Sequence, residues 1–148
     1  MLSRLDEHAS QAIQLARQEA YDRHFGHVGT ESLVVGVLRE AQQRQVDKQD
    51  PWGVSLERVR AAVAQRVGPG PEPVGEPASI PMTPRALEVL THAEQQARRL
   101  GSERVAPEHI LLGLVEVGVG EGVNALTEVG APIEDLRRAL QQSLQAGA

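Results

Sequence analysis

The chain has 148 residues, no cysteine, only three aromatic residues (Tyr21, Phe25 and Trp52) and a formal net charge of −5. That length suits one compact domain with a sizeable core. The acidic balance argues against a nonspecific nucleic-acid binder, which needs a basic face to release phosphate counterions, and the lack of thiols excludes disulfides and thiolate metal sites. No apolar run reaches the length of a membrane span, and the opening Met1-Leu2-Ser3-Arg4-Leu5-Asp6-Glu7 has no signal-peptide core. The expectation is a soluble cytoplasmic domain with neither nucleic-acid nor membrane partners.

The first element runs from Leu5 to about Arg23, where Leu5, Ala9, Ala12, Ile13, Ala16 and Ala20 fall three and four apart on one helical face. Asp6 is placed to cap it and Glu7 suits the positive end of its dipole. The run Leu33-Val34-Val35-Gly36-Val37-Leu38 fits a buried strand or a buried helix by pattern alone. Its flanks favour a helix, with Thr30 as the expected cap and Glu31 in the first turn. Asp50-Pro51 then breaks the chain, and Val46, Gln49 and Trp52 give little to bury. A loose, exposed third element is expected there, with Trp52 either a partner surface or, by the plainer reading, loop drift. Leu56, Val59, Val63 and Val67 mark an amphipathic helix capped by Ser55. Gly68-Pro69-Gly70-Pro71-Glu72-Pro73-Val74-Gly75-Glu76-Pro77 reads as an extended, solvated linker.

Beyond it the pattern repeats. Sliding residues 5–67 onto 82–144 without a gap pairs Ala9 with Ala86, Ala16 with Ala93, Glu31 with Glu108, Gly36 with Gly113, Gly53 with Gly130 and Arg60 with Arg137. The second copy carries its own signals: Thr83 as cap with Pro84 at the first helical position, Gly101 as a stop, and Pro107 opening the second apolar run. Val123, Leu126 and Val129 support a short third helix, and Pro132 opens a last one bearing Ile133, Leu136, Leu140 and Leu144. The chain is a tandem duplication, with repeat one at 1–67, a linker at 68–81 and repeat two at 82–148. The two halves share one all-α core.

The segments Gly29-Thr30-Glu31, Ile80-Pro81-Met82-Thr83-Pro84-Arg85-Ala86 and Pro107-Glu108-His109-Ile110-Leu111-Leu112-Gly113-Leu114, with the duplication and the linker placement, resemble the Clp N-terminal (Clp repeat) domain family. That domain is the front module of ClpC-type and ClpA/ClpB-type AAA+ unfoldases. The resemblance implies two four-helix repeats related by a pseudo-twofold axis. It also implies a non-catalytic module of the Clp chaperone-protease system that docks substrates, adaptors or phosphoarginine-tagged proteins. The alternative is a decoy or sequestering protein that binds Clp-targeting antibiotics or other small molecules. No Gly-x-x-x-x-Gly-Lys-Ser/Thr string is present, so ATP hydrolysis by that route is excluded. No cofactor or metal is expected, and no histidine pair has ligand spacing.

Within this resemblance Glu31 and Glu108 match a glutamate implicated in phosphoarginine recognition. A carboxylate grips a guanidinium bidentately, and a helix N-terminus holds phosphate. The plainer reading is a first-turn glutamate that complements the helix dipole. Repeat two offers Thr83 and Arg85 at the start of its first helix, where repeat one has Asp6 and His8. Any phospho-ligand is therefore expected at the second copy, with Glu108→Ala abolishing binding and Glu31→Ala changing it little. Leu2, Leu5 and Met82 stand where relatives carry phenylalanines of a hydrophobic patch that serves partners and cyclic-peptide antibiotics. The alternative is that they staple their helices onto the bundle.

Overall fold

The computed structural model describes residues 4–44, 50–73 and 75–146. Helices α1 (Glu7–Asp22), α2 (Thr30–Gln43) and α3 (Leu56–Arg66) form repeat one, and α4 (Pro84–Arg99), α5 (Pro107–Val117), α6 (Glu121–Glu128) and α7 (Ile133–Ala146) form repeat two. Among the described residues there is no sheet. The stripes read from the sequence are the buried faces: Ala9, Ala12, Ala16 and Ala20 in α1, and Ala86, Val89, Ala93 and Ala97 in α4. Nearly every residue of α2 and α5 up to the last turn is buried, so these two helices form the centre.

The halves are tied by two short parallel bridges, Leu5 with Val105 and Val28 with Met82. Asp6 N–H donates to the Val105 carbonyl at 2.8 Å and Val105 N–H to that of Arg4 at 2.8 Å. The counterpart has Thr83 N–H donating to the Val28 carbonyl at 3.0 Å and Val28 N–H to that of Pro81 at 2.8 Å. Each pair maps onto the other by the repeat offset, which is what a pseudo-twofold axis requires. The lead-in of each repeat is thus hydrogen-bonded to the loop before the central helix of the other. Leu5 and Met82 sit at these bridges, partly buried against the core. Leu2 lies outside the described residues.

Small residues set how closely the helices approach. A Cβ on Gly36 would come within 2.7 Å of Ala16 N, and one on Gly113 within 2.6 Å of Ala93 N and of the Val89 carbonyl. These are equivalent crossings of α2 on α1 and of α5 on α4, and in each the partner backbone occupies the space a side chain would need.

Three expectations are revised. Thr30 does not cap α2: Gly29 holds that position, and the Thr30 hydroxyl instead accepts from Gly122 N–H at 2.9 Å, clasping α6 to α2. The third element of repeat one, as far as it is described, is a 3₁₀ turn at Pro51–Gly53, and Trp52 is 6% exposed rather than a surface residue. The turn packs on α7 as α6 packs on α3, so an apolar indole fills a place where the aliphatic pattern had lapsed. Val46 and Gln49 lie outside the described residues. The linker is also not wholly extended: Pro77–Ser79 form a 3₁₀ turn against α1, the Tyr21 hydroxyl donates to the Gly75 carbonyl, and Ile80 is buried. An apolar residue at the end of a polar stretch has nowhere else to escape water.

Two buried titratable groups brace the ends of this frame. Burial pushes the Glu19 carboxyl up. The hydrogen bond and charge of Arg60, with the charges of Arg23 and Arg39, outweigh it and hold the group below the ordinary 4.5. His109, 1% exposed, accepts from Ala106 N–H at its Nδ1 at 2.9 Å and so satisfies an amide at the start of α5. Burial lowers its pKa below 6.5 despite the opposing charges of Glu108 and Asp6.

Two outcomes test this frame. Gly36→Ala and Gly113→Ala should each lower stability by about 1–3 kcal/mol, seen as an earlier urea midpoint. Gly26→Ala, whose Cβ would meet nothing within 4 Å, should leave the midpoint unchanged. Because the folded state binds the His109 proton less readily than the unfolded chain, the protein should lose stability as pH falls through and below 6.5. His109→Ser, which installs the residue of repeat one, should flatten that limb in urea titrations at stepped pH. The Glu19 contribution, lost only as pH falls below 4.5, should remain.

Candidate functional site

The exchanged lead-ins decide which groups can meet. Since Met82 pairs with Val28, the start of α4 lies beside the start of α2 rather than beside that of α5. The result is an open cleft of about 730 Å³ between the repeats, walled by Glu31 from α2, Thr83 and Arg85 from α4, Glu121 from α6 and the glycines of the linker's first turn. The sequence-based grouping of Glu108 with Thr83 and Arg85 is therefore not the one the chain builds. Glu31 meets that pair, and Glu108 lies outside the cleft.

Each wall has a local cause. The Thr83 hydroxyl caps α4 by accepting from Ala86 N–H at 3.1 Å, with Pro84 fixing the first turn. Arg85 is exposed and has no ion-pair partner among the described residues, which leaves its guanidinium available to an anion. Glu31 is 8% exposed and folds back over its own helix start: a Cβ on Gly29 would lie 2.6 Å from Glu31 Oε1. Burial and the nearby Glu121 charge push the Glu31 carboxyl above 4.5 against a hydrogen bond from its own backbone. A cation arriving there would oppose both effects. Glu121 is itself held by Arg66 Nε at 2.7 Å. Gly120, at φ 121°, passes so close that its Cβ would lie 3.0 Å from Arg85 Cδ and from Thr30 Oγ1. The cleft thus sets a cation-seeking carboxylate opposite a helix N-terminus flanked by a free guanidinium.

The counterpart around Glu108 differs in chemistry. Glu108 Oε2 accepts from the Ser143 hydroxyl at 2.7 Å, and the residue bonded across to this loop is Asp6, whose carboxylate caps α1. Both carboxylates act on the His109 ring. The remaining lead-in residue, His8, turns away to Glu40 at 2.9 Å. The surroundings of Glu31 and Glu108 therefore differ: Arg85 and Thr83 share the cleft with Glu31, whereas Asp6 lies on the Glu108 side.

Glu121, Gly120 and the linker wall were not singled out as site residues. The string Gly118-Val119-Gly120-Glu121-Gly122 carried the one available signal, since closely spaced glycines ahead of a short helix mark a close backbone approach.

A sequence model of the Clp repeat (R) N-terminal domain matches residues 4–123. The chain is 32% identical over 145 residues to chaperone protein ClpB of Oceanobacillus iheyensis and 33% identical over 145 residues to the negative regulator of genetic competence ClpC/MecB of Bacillus subtilis. In both comparisons 98% of this chain is covered, and it spans 17% of the length of these relatives. The N-terminal domain of the chaperone ClpD from Arabidopsis thaliana superposes with a TM-score of 0.82 at 24% identity, covering 97% of this chain and 96% of that one. The Hsp104 N-terminal domain from Candida albicans gives 0.69 at 17% identity, covering 92% and 88%. With its duplicated helices, its reciprocal bridges and a family match over most of its length, this chain belongs to the Clp repeat N-terminal domain family.

Proposed function

We propose that this chain is a non-catalytic docking module that presents arginine-phosphorylated protein segments to a Clp-type unfoldase, using the cleft between α2, α4 and α6. The observation that carries this reading is the placement of the Glu31 carboxylate opposite Thr83, Arg85 and the α4 N-terminus. Phosphoarginine has a guanidinium at one end and a phosphoryl group at the other. Glu31 takes the guanidinium by paired charge-assisted hydrogen bonds, and Glu121 adds negative charge behind it. The phosphoryl group meets the Arg85 guanidinium beside the start of α4, where the helix dipole favours an anion. On this reading the groups named bind and orient the ligand. Kinship with ClpB and ClpC supports service to an unfoldase of that class.

Calorimetry with free phosphoarginine tests the reading, with arginine and inorganic phosphate as comparators. The parent chain should bind phosphoarginine and neither comparator with similar affinity. Glu31→Ala should weaken binding by about 10–100-fold, the worth of a charged bidentate contact, and Arg85→Ala should also weaken it. Glu108→Ala should leave it within about twofold. Absence of binding by the parent, or equal losses from Glu31→Ala and Glu108→Ala, would overturn it.

A further inference from the structure

Beside the cleft lies a second cavity of about 160 Å³, walled on one side by Phe25, Val35 and Val63 and on the other by the ion-paired Glu19, Arg23 and Arg60. Glu31, Phe25 and Val67 line both spaces, so the two are contiguous. The cavity exists for a reason that the duplication makes visible. Ser32, Val35, Val63 and Val67 stand where repeat two has His109, Leu112, Leu140 and Leu144, each of them larger. Repeat one is therefore hollow where repeat two is filled. The Ser32 hydroxyl is buried at this cavity, the residue being 1% exposed, and it has no hydrogen-bond partner among the described residues.

A cavity of about 150 Å³ holds a benzene-sized guest, so by volume this half-open one has room for a leucine-like side chain. In an extended peptide, successive residues advance about 3.3 Å and turn to alternate sides. A chain with its modified arginine against Glu31 can therefore place a neighbouring side chain, one or two positions away, in the adjoining space. We infer that the cavity is a specificity pocket for a bulky aliphatic residue within two positions of the phosphoarginine, so that the module reads a two-residue signal rather than the modified arginine alone. The inference rests on the phosphoarginine reading of the cleft.

The test is titration of short capped peptides holding one phosphoarginine among glycines, with leucine placed in turn at each of the two positions on either side. At one of these positions leucine should tighten binding by about tenfold or more over the all-glycine peptide, the gain expected for burying such a side chain. Two variants should abolish that gain while leaving the affinity for free phosphoarginine unchanged. One is Val63→Leu, which installs the residue of repeat two at a position that lines the cavity and not the cleft; the other is Ala64→Trp, at an exposed position on the cavity wall. If free phosphoarginine binds but leucine brings no gain at any position, the pocket is overturned and the reading of the cleft survives. If free phosphoarginine does not bind, that reading fails and the pocket inference falls with it.

Discussion

The structure depends on a reciprocal exchange of backbone hydrogen bonds. Three residues at each crossing, Arg4, Asp6 and Val105 at one and Pro81, Thr83 and Val28 at the other, join the repeats by two short parallel bridges. Backbone amides and carbonyls buried without partners are costly, and these segments belong to no helix that could satisfy them internally. Pairing across the twofold axis resolves that for both repeats at once. It also fixes which helix starts face each other, and every feature of the cleft follows from it.

The central helices make this exchange compatible with a dense core. With only three aromatic residues, the interior is filled by alanine, valine and leucine, and the two equivalent glycines let α2 and α5 settle onto α1 and α4 at backbone contact. Above that core the repeats diverge. Glu19, gripped by Arg23, Arg39 and Arg60, corresponds to Gln96 in repeat two, and Ser32 corresponds to His109. One copy has kept polar groups and open volume, while the other has closed up around a histidine that caps its own helix. The duplication supplies a frame whose two ends carry different chemistry, and the ligand-binding potential is concentrated at one of them.

The cleft also sets a carboxylate in an unfavourable place: Glu31 is shielded by burial and lies near Glu121, and both raise its pKa. On the α4 side the cleft is lined by Thr83, Pro84, Arg85 and Glu88. Leu5 and Met82 contribute differently, by holding the bridges in place against the core.

The duplication, the seven helices, most of their caps and the buried central pair were legible in the sequence, because they rest on local periods of three and four residues, on proline and glycine at helix ends, and on similarity between copies. The unequal chemistry of the helix starts was legible too, in Thr83 and Arg85 against Asp6 and His8. What the linear pattern could not carry was the partnership. Grouping Glu108 with Thr83 and Arg85 treated each repeat as self-contained, whereas the backbone bridges cross between them and bring Glu31 to that pair. The use of Thr30 as a clasp on Gly122, the burial of Trp52 against α7 and the hollow beside Ser32 share that origin. Each depends on contacts between residues far apart in the chain, and such contacts are set by how the halves pack rather than by the preferences of any one segment.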